Sequence, residues 1–255
     1  MAASSSPDQG NSSREDGGAP RRVRAADILG PAFRRFVWHA YDNLGRLVLA
    51  NLLWLVLCLP VVTAPAATAG LFLMARRIAN GEPASVRDVL TGFRAHFLPS
   101  LKVGSMTLLV ILLLWVNIDF YSHLGGWATL PGMLLAAAMI WAAAFLALMH
   151  VHIHPLIAGG DAGLRTIVRK SALLALDNVG YSVGIAVQAL LVTFICVITG
   201  AGLVLALGSF LALLLSCGHR ELLKRYFPDS DEASEPDETR GWRDFWRPWE
   251  SRRRD

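Results

Sequence analysis

From Val179 to Gly218 the chain runs for 40 residues without one Asp, Glu, Lys or Arg. A helix that crosses the hydrocarbon of a bilayer takes about 20 apolar residues, so this stretch alone has the length of two spans. The remainder agrees: of 255 residues, 54% are hydrophobic and 17% charged, with a mean hydropathy of +0.43. Such a balance belongs to membrane proteins rather than to soluble domains. Lipid offers backbone groups no hydrogen-bond partner, so the expected fold is all-α, a polytopic membrane helix bundle.

Taken in order, the charge-free runs predict about six spans, near residues 44–60, 64–77, 103–122, 131–151, 180–200 and 202–218. Turn chemistry separates them: "LPVVTAP" with Pro60 and Pro65, "LGGWATLPG" around Gly125 and Pro131, and "TGAG" at 199–202. Leu47 to Ala75 is the ambiguous block, at 29 charge-free residues too long for one straight span and short for two. Two full spans and a re-entrant hairpin both fit it.

The basic residues arbitrate the side on which each connection lies. Seven Lys/Arg fall at or before Arg46, five in 76–102, three in 152–178 and nine after 218, which together make up all 24. If the first block folds back at Pro60 to Pro65, every one of them sits on one side, and Asp119 is the sole charge left for the other. By the positive-inside rule that side is cytoplasmic, with both termini there. The same sorting accounts for the +4 net charge without nucleic acid.

Residues 1–26 read as a disordered tail, being Ser/Gly-rich and polar, and they lack the apolar core of a cleavable signal. The membrane domain is expected over 27–225. Residues 226–255 form a cytoplasmic tail, acidic at first and then rich in Trp and Arg. There Trp242, Phe245, Trp246 and Trp249 follow helical spacing beside Arg243 and Arg247, a combination suited to the lipid interface and anionic headgroups; a disordered basic tail interrupted by Pro248 is the alternative. Cys58, Cys196 and Cys217 all lie in apolar segments and are odd in number, which argues for packed thiols rather than disulfides.

Three basic amphipathic segments each lead into a span. They are "PAFRRFVWHAYDNLGRLV", "SVRDVLTGFRAHFLP", in which Ser85 and Asp88 form a capping pair, and "DAGLRTIVRKSALLALDNVG". The strings "DNLG" at 42–45 and "DNVG" at 177–180 match. Either a duplicated unit or the ordinary chemistry of a helix boundary explains the match.

The residues that could carry chemistry are few. "HVHIHP" places His150, His152 and His154 at the end of a long apolar helix, where the 100° turn per residue sends the middle ring away from the other two. His150 and His154 could converge on a metal, with Asp161 or His219 as a third ligand, yet Val151 stands where a zinc protease carries its glutamate. The alternative is an interfacial polar pair. Asn51 and Gln188 are amides inside spans and are expected to draw their helices together, with a substrate path as the alternative. No P-loop, no Gly-x-Ser-x-Gly elbow and no zinc-spaced cysteine pair occurs. The expectation is a non-enzyme without cofactor.

The string "NLLWLVLCLPVVTAPAATAGLF" at 51–72 carries a family signature: Leu59, Pro60, Val61, Val62 and Thr63, then Pro65 and the Ala-Thr-Ala around Thr68. With "DVLTGFRAHFLPSLKVG" and "HIHPLIAGGDAGLRTIVRKSALLALDNVG", it resembles the YesL-like family of bacterial integral membrane proteins of unknown function, over roughly 27–225. The resemblance implies a bacterial inner-membrane protein linked to carbohydrate uptake, with no established catalytic residues. It places an aromatic where His154 stands, which weakens the metal reading. The expected function is an accessory or regulatory component, with a carbohydrate ABC transporter as partner. The alternatives are a transporter or permease subunit, although the coupling-helix signature of an ABC permease is missing from both inner loops, and a membrane-embedded metal-dependent enzyme using His150 and His154.

Overall fold

The structure is a computed structural model and describes residues 25–123, 129–160 and 163–226. Among the described residues it is all helix: α1 (Ala26–Asp42), α2 (Leu44–Cys58), a 3-10 turn (Val61–Thr63), α3 (Ala64–Ala79), α4 (Arg87–Ala95), α5 (Phe97–Ser122), α6 (Thr129–Ala158), α7 (Leu164–Asp177), α8 (Val179–Ile198), α9 (Ala201–Leu205) and α10 (Leu207–Tyr226). Gly81, Gly160 and Gly200, with φ of 71°, 95° and 62°, stand just past the ends of α3, α6 and α8. That left-handed region strains any side chain with a Cβ, which makes glycine the helix terminator.

Each of the three amphipathic segments meets its span at a single non-helical residue. Asn43 breaks α1 from α2 (φ −116°, ψ 18°), His96 breaks α4 from α5 (φ −105°, ψ 15°), and Asn178 breaks α7 from α8 (φ −128°, ψ 49°). At every break the backbone N–H still donates four residues back, to His39, Gly92 and Leu174, and the C=O still accepts from four residues ahead, from Leu47, Ser100 and Ser182. The joint residue thus keeps both of its backbone hydrogen bonds through the turn. At Asn43 the turn is 89°. So the repeated amphipathic-then-span pattern extends to the backbone geometry of the joints.

The core is centred on α3 and α10. On α3 a run of small side chains, Ala66, Ala67, Ala69, Gly70, Ala75 and Ala79, is buried together with Leu71, Phe72, Met74 and Ile78. Small residues let neighbouring backbones approach closely where lipid supplies no hydrophobic drive. Gly70 and Gly92 form the tightest of these crossings: a Cβ on Gly92 would lie 2.8 Å from the Gly70 Cα, and one on Gly70 would strike the Val89 carbonyl. The nine-residue α4 is therefore pinned flank-on to α3. Its Ser85–Asp88 capping pair forms, with Asp88 accepting from the Ser85 N–H at 2.7 Å and Ser85 accepting from the Arg87 N–H at 3.4 Å.

Among the described residues four helices are long and apolar enough to cross a membrane: Val61–Ala79, Phe97–Ser122, Thr129–Ala158 and Val179–Ile198; the bent pair α1–α2 raises the number to five if it is one span. The charge-free runs pointed to about six. The expected first span stops at Cys58, giving a 15-residue helix of about 22 Å, short of the roughly 30 Å hydrocarbon core. The expected last span is divided at Ala206 (φ −139°, ψ −19°), so that five residues form α9 and the apolar part of α10 runs on into Arg220, Glu221 and Lys224.

Candidate functional site

The three histidines take two environments, as the 100° rotation per residue predicts. His152 is fully buried, its Nε2 2.9 Å from Ser182 Oγ on α8 and its ring 5.9 Å from that of Tyr181. This Ser–His contact is closed to substrate from both sides, since Ser182 is also fully buried, and it locks α6 to α8. His154 stacks on Phe72 of α3 at 5.2 Å and meets the edge of His150, also at 5.2 Å. Its Nδ1 is buried without a hydrogen-bond partner among the described residues. His154 thus occupies an aromatic environment.

His150 and His154 are therefore adjacent, while a third ligand is a separate matter. Among the described residues no set of three His, Cys, Asp or Glu side chains converges to hold a metal. Asp161, named as one potential third ligand, lies outside the described residues. His219, the other, faces a small cleft with Arg76, Asn80, Ser216 and Arg220 where the basic ends of α3 and α10 meet; it holds about 10 Å³, room for one water.

Asn51 and Gln188 each bond elsewhere rather than to one another. Asn51 is fully buried; its Nδ2 donates to the Val204 carbonyl at 2.6 Å and its Oδ1 accepts from the Ser209 N–H at 3.0 Å. One amide thus supplies α2's bridge across the α9–α10 break, restoring groups that the break at Ala206 releases. Gln188 Nε2 donates to the Leu29 carbonyl at 3.4 Å, joining α8 to α1, and its Oε1 is buried without a hydrogen-bond partner among the described residues. The expectation that these two amides draw their own helices together is corrected: α2 and α8 each find backbone on other helices.

The Pro60–Thr68 segment is a built turn. Thr63 Oγ1 donates to the Leu57 carbonyl and lies 2.7 Å from that of Pro60, and Thr68 accepts from Trp54 Nε1 at 3.2 Å while lying 2.8 Å from the Ala64 carbonyl. Pro65 opens α3 and packs on Gly104 of α5, where a Cβ would collide with its ring. Val61 and Val62 are exposed and apolar, consistent with contact with lipid. Trp242, Arg243, Trp246, Arg247 and Trp249 lie outside the described residues.

One constellation escaped sequence reasoning. Arg35, buried in α1, places Nε 3.3 Å from Glu221 Oε1 and Nη1 3.4 Å from the Ala79 carbonyl, tying α1 to α10 and α3. Glu221 also faces Arg220 at 3.6 Å and Lys224 at 3.7 Å. The signal was present: Ile28, Ala32, Arg35 and Phe36 share one helical stripe, and Glu221 is the sole carboxylate between Asp177 and Asp229.

With this geometry in hand, comparison with known proteins adds one finding. The sequence model of a family described as proteins of unknown function, DUF624, matches residues 47–118, from Leu47 of α2 through the proline turn, α3 and α4 to Ile118 of α5. That is well under half of the chain. No curated protein and no solved structure matches it.

Proposed function

We propose that this chain is a non-enzymatic accessory or regulatory protein of carbohydrate uptake, in the bacterial cytoplasmic membrane with both termini cytoplasmic. The observation that carries the reading is how its intramembrane polar groups are used. Asn51 bonds the α9–α10 backbone, His152 bonds Ser182, Trp54 bonds Thr68 and Gln188 bonds Leu29. Each serves to hold helix against helix, whereas a permease must keep such groups turned toward a shared path. The exposed basic side chains of α4 and α7, Arg87, Arg94, Arg165, Arg169 and Lys170, supply a charged surface for anionic headgroups or a partner. The YesL-like resemblance supplies the carbohydrate link and an ABC transporter as the partner.

Crosslinking in the native membrane followed by purification tests the proposal: a sugar permease should co-isolate. Sugar flux into vesicles containing this chain alone would defeat it in favour of a permease. A thiol placed at Arg87 should be labelled from the cytoplasmic side.

A further inference from the structure

The cleft between the basic ends of α3 and α10 is lined by Arg76, Asn80, Pro155, Ser216, His219 and Arg220. The helices that supply these residues, α3, α6 and α10, hold one carboxylate between them, Glu221. It is already shared, since Arg35 Nε, Arg220 Nη1 and Lys224 Nζ stand 3.3, 3.6 and 3.7 Å from its Oε1. Arg76, whose Nη1 donates to the Ala158 carbonyl at 3.1 Å, adds a further cation. Among the described residues, positive charge therefore exceeds negative around the cleft, and Arg35 and Arg220 are buried. Ser216 carries the second observation. Ser171, Thr193 and Ser209 each turn a hydroxyl back onto a carbonyl of their own helix. Ser216 does not: it is 6% exposed, and its Oγ is buried without a hydrogen-bond partner among the described residues. A hydroxyl so placed is costly unless the cleft holds something for it to bond.

We propose that this cleft binds a single monatomic anion, a halide of the chloride class. Its volume of about 10 Å³ admits one occupant close to water in size and excludes a whole phosphate or sulfate. The lining selects the sign, because a guanidinium donates and never accepts, and a serine hydroxyl rotates to donate. Water fits the space but brings no charge. A halide accepts from every donor and offsets part of the positive excess, which a low-dielectric interior makes costly. Once bound, it joins Arg76 and Asn80 of α3 to Ser216 and Arg220 of α10, the two helices on which the core is centred. The stability of the fold is then linked to the concentration of the anion. This proposal is independent of the carbohydrate reading.

The test is thermal unfolding of the full-length chain in detergent, with chloride exchanged for gluconate at constant ionic strength. The melting temperature should rise by a few degrees as chloride increases from about 1 mM to about 100 mM; bromide should act alike, and sulfate and phosphate should not. Ser216→Ala should melt in gluconate no lower than the natural chain, having no hydrogen bond to lose, and should need about tenfold more chloride for the same rise. Arg76→Gln, which keeps a donor for the Ala158 carbonyl, should abolish the response, whereas Arg87→Gln, exposed on α4, should leave it intact. Equal melting in chloride and gluconate overturns the proposal, and water then fills the cleft. A chloride response indifferent to both Ser216→Ala and Arg76→Gln overturns it as well. So does a response that phosphate or phosphatidylglycerol vesicles reproduce, or one that emerges only after the carboxylates of 229–238 are replaced by amides; the occupant is then an oxyanion, a lipid headgroup or the chain's own acidic segment.

Discussion

Asn51 and Ser209, 158 residues apart, are joined where α10 begins: the Asn51 Oδ1 accepts the Ser209 N–H at 3.0 Å, next to Gly208, where a Cβ would stand 2.9 Å from that same oxygen. The amide, the glycine and the helix break form one unit. Asn51→Leu strands a backbone N–H and a C=O, and should destabilise the protein by about 1–3 kcal/mol. Gln188→Leu, which removes a single 3.4 Å bond, should cost less than about 1 kcal/mol. Unfolding in detergent measures both.

The α3–α4 contact leaves no room for a methyl group. Gly70→Ala and Gly92→Ala should each cost about 1–3 kcal/mol by forcing the helices apart. Gly45→Ala, with nothing within 4 Å of the added Cβ, should be neutral or slightly stabilising. An equal effect at all three positions in a thermal unfolding series would contradict the close crossing.

Arg35 is buried and Glu221 is partly buried, its side chain 12% exposed, so removing the carboxylate leaves a buried guanidinium without that partner. Glu221→Gln should destabilise by about 3 kcal/mol or more, through Arg35. Replacing both with Met and Leu of similar volume should recover most of that loss, and a double-mutant cycle reads the difference.

His96 sits at the α4–α5 joint, where burial holds its imidazole below the ordinary histidine value. The unfolded chain therefore binds a proton at a pH where the folded chain resists it. Stability contributed by the neutral ring is complete above about pH 6.5 and is lost as pH falls below that value. His96→Gln should flatten this part of the stability profile, measured by thermal unfolding between about pH 7.5 and pH 5.5.

Metal analysis of the purified protein should find zinc far below one equivalent, unchanged when His150 and His154 are both replaced by Ala. Stoichiometric zinc that disappears on that double replacement would reinstate the metal-dependent enzyme.

Much of the fold was legible in order along the chain, because local rules govern it. The charge-free runs marked α5, α6 and α8, whose side chains face lipid and so must be apolar nearly all round. Pro60 and Pro65 marked the reversal, and Ser85 with Asp88 marked the approach to α4. The direction of the three histidines followed from helix rotation alone.

Other features depended on neighbours distant in sequence. Charge-free length cannot register the break at Ala206, since the groups it releases are satisfied by Asn51 from another helix. Nor can periodicity show that α4 lies against α3, which is set by two glycines 22 positions apart. What the sequence by itself determined was a helical membrane protein and the order of its segments, because hydrophobic length and charge act residue by residue. What only the tertiary structure decided was which polar groups meet: whether a buried amide, histidine or arginine is a fault, a fastener or a site depends on what stands within 3 Å of it, and that partner comes from another helix.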